Sequence, residues 1–396
     1  VVTRPRPLLA ARDRIGRLYV FYKDTTSAPH FKRFDVEGNE DTPTPFTGAA
    51  WTSVLGDTWY DIAMDIKTDT LFFAATTPTG PAMYCTGKEN GFMPSNGVNI
   101  RATIASGISA VQALAAYNGM VYAAVVHSGP PASLQLIACE ATLSGSTLTL
   151  VQKGAMQPLP KLRNASPFAN NHTECTGLFA DENGVYCLLA ERQTQSLRTG
   201  YGVGTLIRYE NSGGTLTKKG EAGLNPAASG TDARIPFDGR YFFNPIGFAG
   251  YDEENIYIAD DGFDTDYRNE NWHIKDNKNR IAAFNRAAGG LSFSNTDATW
   301  IDERPVYKFP DTKMLLWEKG DDITYFGMKY WINGAAGTPF PGDTDALWAS
   351  HMQSESPTDV FCYDQDGNLY ILYVDLGAGN QRLVRRFALK EDGTYG

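Results

Sequence analysis

Cysteine is scarce. Five residues in 396 is an odd number, so at least one thiol stays unpaired whatever the redox compartment. No Cys-x-x-Cys spacing occurs, which excludes the usual thiolate zinc sites. All five cysteines sit in apolar, strand-like contexts such as Met83-Tyr84-Cys85 and Tyr186-Cys187-Leu188, where buried, inert thiols are expected. Positive charge is also in short supply. Against 35 Lys and Arg stand 45 Asp and Glu, a net charge of −10, and no basic run exceeds Arg385-Arg386 or Lys218-Lys219. Such a chain repels a phosphate backbone, so no nucleic-acid partner is expected. No apolar stretch approaches the ~18 residues of a membrane-spanning helix, so no transmembrane segment is expected. Signatures of activated nucleophiles and zinc hydrolases are missing as well: there is no Gly-x-Ser-x-Gly and no His-Glu-x-x-His.

What remains is a folded composition, 42% hydrophobic and 20% charged. Aromatics at 12% suit pleated, half-buried surfaces, and 39 Gly with 21 Pro mean many turns. A short unit recurs along the chain: an Asp, Asn or Gly turn, an aliphatic residue, Tyr or Phe, then more apolar residues. It reads Gly16-Arg17-Leu18-Tyr19-Val20-Phe21, Asp69-Thr70-Leu71-Phe72-Phe73, Asn118-Gly119-Met120-Val121-Tyr122, Asn183-Gly184-Val185-Tyr186, Glu254-Asn255-Ile256-Tyr257 and Gly367-Asn368-Leu369-Tyr370. An apolar run precedes each turn, as in Leu8-Leu9-Ala10-Ala11 and Val111–Ala116, so each unit opens with a β-hairpin. Third segments alternate apolar and polar residues, as in His30–Asp35 and Leu383–Ala388. Fourth segments are visible at Thr147–Val151 and Leu216–Lys219.

An inner pair of strands apolar on both faces and an outer amphipathic pair describe a four-stranded antiparallel blade of a β-propeller. The chain is therefore read as all-β, a single propeller domain over 1–396. Six copies of the unit predict six blades, with a long inter-blade insertion at about 300–357. Met314-Leu315-Leu316-Trp317 and Ile323-Thr324-Tyr325-Phe326 inside that segment leave seven blades as the alternative.

The stretch from Gly250 to Phe284, with Asn255-Ile256-Tyr257-Ile258-Ala259-Asp260 and Arg280-Ile281-Ala282-Ala283-Phe284, resembles the NHL repeat. Asp366-Gly367-Asn368-Leu369-Tyr370 is similar to the same motif. The resemblance implies a propeller with an open central channel. It implies no single activity, because such propellers include binding modules, lactonase-like hydrolases and lyases.

On this scheme His30, His127 and His273 fall between second and third strands, and His172 and His351 just before first strands, so all five histidines are expected on one rim. His172, His273 and His351 are the candidate acid–base residues. Asp260, Asp264 and Asp266, in the segment Ala259–Asp266, alternate in a way that can present oxygens to Ca²⁺, the one cofactor the sequence suggests; the same side chains equally suit capping of their own loop amides. Arg234, Asp238, Arg240 and Tyr241, with Trp317 and Trp331, are the candidate ligand-binding residues, because aromatics beside carboxylates and Arg can stack on a sugar or grip a peptide. The tryptophans serve equally to pack the insertion onto the domain.

Two functions follow as expectations. The first is a monomeric, non-enzymatic propeller that binds a protein, peptide or glycan on one rim. The alternative is a metal-dependent hydrolase or lyase, lactonase-like, with its site at the channel mouth. The chain begins at Val1 rather than Met, which suits an exported protein whose leader or lipid-anchor segment has been removed. An extracytoplasmic location, periplasmic, cell-surface or secreted, is expected.

Overall fold

The computed structural model describes residues 8–13, 15–23, 29–42, 59–87, 97–128, 133–163, 172–192, 203–226, 241–242, 245–251, 255–260, 263–265, 274–277, 280–285, 304–309, 314–319, 327–332, 338–339, 361–363, 369–375 and 381–388. These residues are almost entirely strand. The first sheet joins β1 (Leu8–Arg12), β2 (Leu18–Lys23) and β3 (Pro29–Phe34) in that order. The second joins β4 (Trp59–Asp65), β5 (Thr70–Thr77), β6 (Gly80–Gly87) and β7 (Val98–Asn99). One helical turn follows, α1 (Ile100–Thr103), capped by the Asn99 side chain, which accepts from the Ala102 amide. The third sheet joins β8 (Ile108–Tyr117), β9 (Met120–His127), β10 (Ser133–Ser144) and β11 (Thr147–Gln152), with β12 (Gln157–Pro158) also on β10. The fourth joins β13 (His172–Asp181), β14 (Gly184–Arg192), β15 (Gly204–Ser212) and β16 (Thr215–Ala222).

Three further sheets and a ribbon follow. The fifth sheet joins β17 (Pro245–Tyr251) and β18 (Asn255–Asp260) to β21 (Arg280–Asn285), while β19 (Phe263–Thr265) and β20 (Ile274–Asn277) form the ribbon. The sixth joins β22 (Arg304–Phe309), β23 (Met314–Lys319), β24 (Gly327–Ile332) and β25 (Thr338–Pro339). The seventh joins β26 (Phe361–Tyr363), β27 (Leu369–Asp375) and β28 (Gln381–Phe387). The strand pairings described are antiparallel, and within each sheet most consecutive strands are neighbours, as the repeated hairpins predict.

Seven sheets of three or more strands are thus present among the described residues, against six recurrences of the sequence unit. The additional one is the sixth sheet, which lies within the segment read as an insertion. β23 pairs with β22 across residues 310–313 and then with β24, whose first residue is Gly327. β22 carries Pro305 and Lys308 and pairs with an irregular register between them, so it lacks the unbroken apolar run that marks the other first strands. Residues 320–326 lie outside the described residues.

Contacts divide the chain into two compact units. The first contains Val1–Pro160, Gly177–Cys187 and Arg208–Lys219; the second contains Lys161–Thr176, Leu188–Ile207 and Gly220–Gly396. The core of the first unit shows why alternating strands fold this way. Register places Leu9, Phe21 and Phe31 opposite one another, hence on one face of the first sheet. Phe21 meets Phe73 of the second sheet at 5.3 Å between ring centroids, and Phe73 stacks on Tyr84 at 5.0 Å. These rings and Leu71 are buried together, each large side chain contributing about 1.5–3 kcal/mol of burial.

Aspartates at the hairpins tie strand to turn. Asp65, fully buried at the end of β4, accepts from the amides of Lys67 (3.0 Å) and Thr68 (3.3 Å) in its own turn. It also accepts from Asn118 (3.0 Å) and Gly119 (2.7 Å) in the turn between β8 and β9. Asp61, on the same face of β4, accepts from the Leu114 amide at 2.8 Å. The turn that Asp65 holds is a two-residue hairpin with positive φ at both Asn118 (50°) and Gly119 (79°), the reason for Asn-Gly there. Asp13 does the same service within the first sheet. It accepts from the amides of Ile15 and Arg17, and its carboxylate takes the Arg17 guanidinium at 2.6 Å and the Tyr19 hydroxyl at 3.1 Å. Burial and the Asp13 charge push the Tyr19 phenol far above its ordinary range.

The cysteines lie where the apolar contexts put them. Cys85, Cys139, Cys175 and Cys187 are buried thiols. Burial pushes the Cys139 thiol up to about 12.

Candidate functional site

One end of the fourth sheet gathers several polar side chains. In an antiparallel sheet the start of β13, the end of β14, the start of β15 and the end of β16 lie together. β13 begins His172-Thr173-Glu174, and successive residues of a strand point to opposite faces. His172 and Glu174 therefore share a face. Nε2 of His172 lies 3.2 Å from Oε1 of Glu174, and the two side chains are 16% and 24% exposed. Thr173 points the other way, is buried, and its hydroxyl accepts from the Leu162 amide at 3.0 Å.

That bond draws the incoming segment Lys161-Leu162-Arg163 against the strand. Arg163 is the largest fully buried side chain among the described residues, at 1% exposure. Its guanidinium faces the carboxylate of Glu191, itself 2% exposed, across 3.9 Å. Two buried charges of opposite sign need each other more than they stabilise the fold, since removing one strands the other in a low-dielectric interior. Glu191 closes the apolar run Leu188-Leu189-Ala190 on β14, and its amide donates to the Val203 carbonyl at 2.9 Å. Two residues on, the buried Thr205 hydroxyl donates to Glu221 Oε1 and to the Ala222 carbonyl, each at 3.1 Å. The Phe242 amide then donates to the Gly223 carbonyl at 2.8 Å. Gly223 has φ +85°, and a Cβ there would collide with the Phe242 ring at 2.3 Å, so this close approach requires glycine. Phe242 is buried against Phe284, 5.1 Å between centroids, and holds its half-buried neighbour Tyr241 at this end of the sheet.

The contacts form a continuous run from the His172–Glu174 pair through Leu162, Arg163, Glu191, Val203, Thr205 and Gly223 to Tyr241. Two residues singled out from the sequence, His172 and Tyr241, lie at the opposite ends of this run, one on β13 and the other beside the end of β16. Arg163, Glu174 and Glu191 were not singled out. A signal for Glu191 was available: a carboxylate that directly continues an unbroken apolar run sits at a position buried by pattern. Arg163 left none, because its burial comes from packing of a connection.

Other candidates fall elsewhere. Asp260 ends β18, fully buried, in register with Pro245 and Arg280. Asp264 lies on β19 opposite Asp276; its side chain, like Asp266, is outside the described residues. Among the described residues, no group of three or more His, Cys, Asp or Glu is placed to hold a metal ion. Trp317 pairs with Lys329 and Pro305, and Trp331 with Leu315, within the sixth sheet. Arg234, Asp238, Arg240, His273 and His351 lie outside the described residues. His30 near the start of β3 and His127 at the end of β9 occupy the ends of their sheets that correspond to the His172 end of the fourth.

Comparison with known proteins bears on this end of the fourth sheet directly. Residues 166–307, which contain most of the contact run, match the family described as the TdpA C-terminal domain. The chain is 26% identical over 305 residues to the 53 kDa membrane antigen A of Treponema denticola, covering 74% of this chain and 58% of that protein. The chain thus spans little more than half the length of this relative. No helix among the described residues is long and apolar enough to cross a membrane. Among solved structures, a putative 6-phosphogluconolactonase from Bacteroides uniformis superposes with a TM-score of 0.52 at 13% identity, over 99% of this chain and 95% of that one. At that identity the likeness speaks for fold alone. The NHL-like resemblance is supported at the level of the propeller, while the family that matches is a different one. The chain is an all-β protein with several four-stranded antiparallel sheets and the fold of a β-propeller.

Proposed function

We propose that the chain is an extracytoplasmic β-propeller, a single domain of seven blades, that binds a protein, peptide or glycan partner at the end of its fourth sheet without catalysing a reaction. The observation that carries this reading is the contact run from His172 to Tyr241. Partly exposed polar and aromatic groups lie at the same sheet end as a buried ion pair, an arrangement suited to a recognition surface that is rigid before the partner arrives. Similarity to a protein named a membrane antigen supports placement at the cell surface.

The test is binding of the purified chain to printed glycan and peptide arrays, repeated with His172→Ala and Glu174→Gln. Loss of tenfold or more in affinity in either variant, with an unchanged near-ultraviolet circular dichroism spectrum, supports the reading. Binding that ignores both substitutions overturns it. Hydrolysis of a δ-lactone, lost in His172→Ala, would move the assignment to the hydrolase alternative.

A further inference from the structure

We propose that the outer edge of β11 is a self-pairing surface: a second copy of this chain adds its own β11 antiparallel to it and joins the third sheets of the two copies into one. This departs from the monomer expected from the sequence and is independent of the site on the fourth sheet.

The outer strands of the first four sheets differ in how they end the sheet. A bare edge presents unpaired amides and carbonyls to any other strand, and folds blunt it with charge, brevity or cover. In the first sheet β3 is covered: Phe34 bridges to Glu40, and the Asp41 amide donates to the Arg33 carbonyl at 2.9 Å. In the second, β7 is two residues long. In the fourth, β16 carries Lys218, Lys219 and Glu221. β11 has none of these devices. Its six residues, Thr147-Leu148-Thr149-Leu150-Val151-Gln152, bear no charge, and among the described residues they make no backbone hydrogen bond on their outer side. β7 comes near β11 without pairing to it. Leu148 and Leu150 are buried, while Thr147, Thr149 and Val151 are exposed together on the other face. At 48%, Val151 is the most exposed large hydrophobic side chain among the described residues.

The direction of the backbone groups selects the register. The Lys153 amide donates inward, to the Ala138 carbonyl at 2.8 Å. These groups alternate along a strand, so Thr147, Thr149 and Val151 also turn theirs toward β10, and Leu148, Leu150 and Gln152 turn theirs outward. A two-fold axis beside Leu150 sets Leu150 opposite its own counterpart, and Leu148 and Gln152 opposite Gln152 and Leu148 of the second copy. Three such pairs, each exchanging two bonds, give about six, and every outward group of the strand is satisfied. The same register sets Thr149 opposite Val151 of the second copy, twice, in the closely spaced pairs where side chains interact most. No like charges meet. Lys153, held by Glu140 at 2.5 Å, falls opposite Thr147 of the second copy. The Gly213-Gly214 turn packs against Lys153 and Gly154 just past the strand, so the pairing ends there. The contact is small, and weak, concentration-dependent association is expected.

Sedimentation equilibrium of the full chain over a wide range of concentration reads the association directly. The expected mass rises to twice the monomer's at the highest concentrations. Val151→Lys gives β11 the lysine that β16 carries at the matching step, Lys219, and weakens association tenfold or more, because an isologous interface feels each substitution twice. Val151→Thr, β-branched and uncharged, changes it less than threefold. An unchanged near-ultraviolet circular dichroism spectrum of Val151→Lys separates lost pairing from lost folding. Thr149→Cys protein mixed with Val151→Cys protein and oxidised with diamide should form covalent dimer at least tenfold faster than either alone, since directly opposed Cα atoms, about 4.5 Å apart, suit a disulfide. A mass that stays that of the monomer overturns the proposal. So does a dimer that ignores Val151→Lys, or one that cross-links no faster in the mixture. A monomer whose residues 147–152 gain hydrogen-exchange protection only from an unrelated extended peptide assigns the edge to a foreign strand and overturns it as well.

Discussion

Replacing Asp65 by alanine probes the device that fixes the turn between β8 and β9. Its carboxylate accepts four backbone amides, at 3.0, 3.3, 3.0 and 2.7 Å, from a position with no solvent exposure. A hydrogen bond to a charged group contributes about 1.5–3 kcal/mol, so a naive sum approaches ~10 kcal/mol. Lys67, Thr68 and Asn118 are exposed, however, and water can take over much of what their amides lose. The expected cost is about 3–4 kcal/mol, most of it at Gly119, where the bond is shortest. Asp65→Asn keeps the shape but turns an amide donor toward amide donors, so it should fall between wild type and alanine. Urea unfolding gives the global cost. Hydrogen exchange followed by mass spectrometry over residues 114–120 gives the local one, where 3 kcal/mol corresponds to roughly 150-fold faster exchange. A cost below about 1 kcal/mol, or exchange that accelerates elsewhere but not in 114–120, would refute the view that one buried carboxylate holds both turns.

Two further outcomes are expected. Glu191→Gln, which leaves the Arg163 guanidinium without its facing charge, should cost about 3–5 kcal/mol, while a paired Arg163→Met, Glu191→Met replacement recovers most of that; a single-variant cost as small as that of a surface ion pair, under ~1 kcal/mol, would count against the buried pair. Native protein at pH 8 should leave Cys85, Cys139, Cys175 and Cys187 unmodified by Ellman's reagent: with the Cys139 thiol pushed up to about 12, thiolate forms only as pH rises far beyond that of the assay, and all five thiols should react once the chain is unfolded.

Much of the fold was legible because a hairpin is a local event. Asn118-Gly119 between two apolar runs carries its own turn type, and the recurrence of that pattern at Leu18, Leu71, Val121, Val185, Ile256 and Leu369 marks one second strand after another. The sixth sheet escaped because Pro305 and Lys308 interrupt its first strand, so the pattern failed where the structure did not. The carboxylates that staple turns were overlooked for a related reason. Asp13 and Asp65 stand five and six residues before the first aliphatic residue of the next strand, a recurrence hidden by turns of unequal length. At the site, His172 and Tyr241 stood out by residue type, being an imidazole and a ring at expected connections. The residues between them did not.

Alternation, turn chemistry and the scarcity of cysteine and basic residues belong to the chain itself, because each depends on neighbours a few positions away. They determined an all-β protein of repeated antiparallel hairpins with inert thiols. Which charges meet is another matter. Arg163 and Glu191 are 28 positions apart with a whole hairpin between them, and Tyr241 reaches the same sheet end only because Phe242 wedges over Gly223. Burial and electrostatic pairing are properties of the environment that packing creates, so only the tertiary structure could decide them.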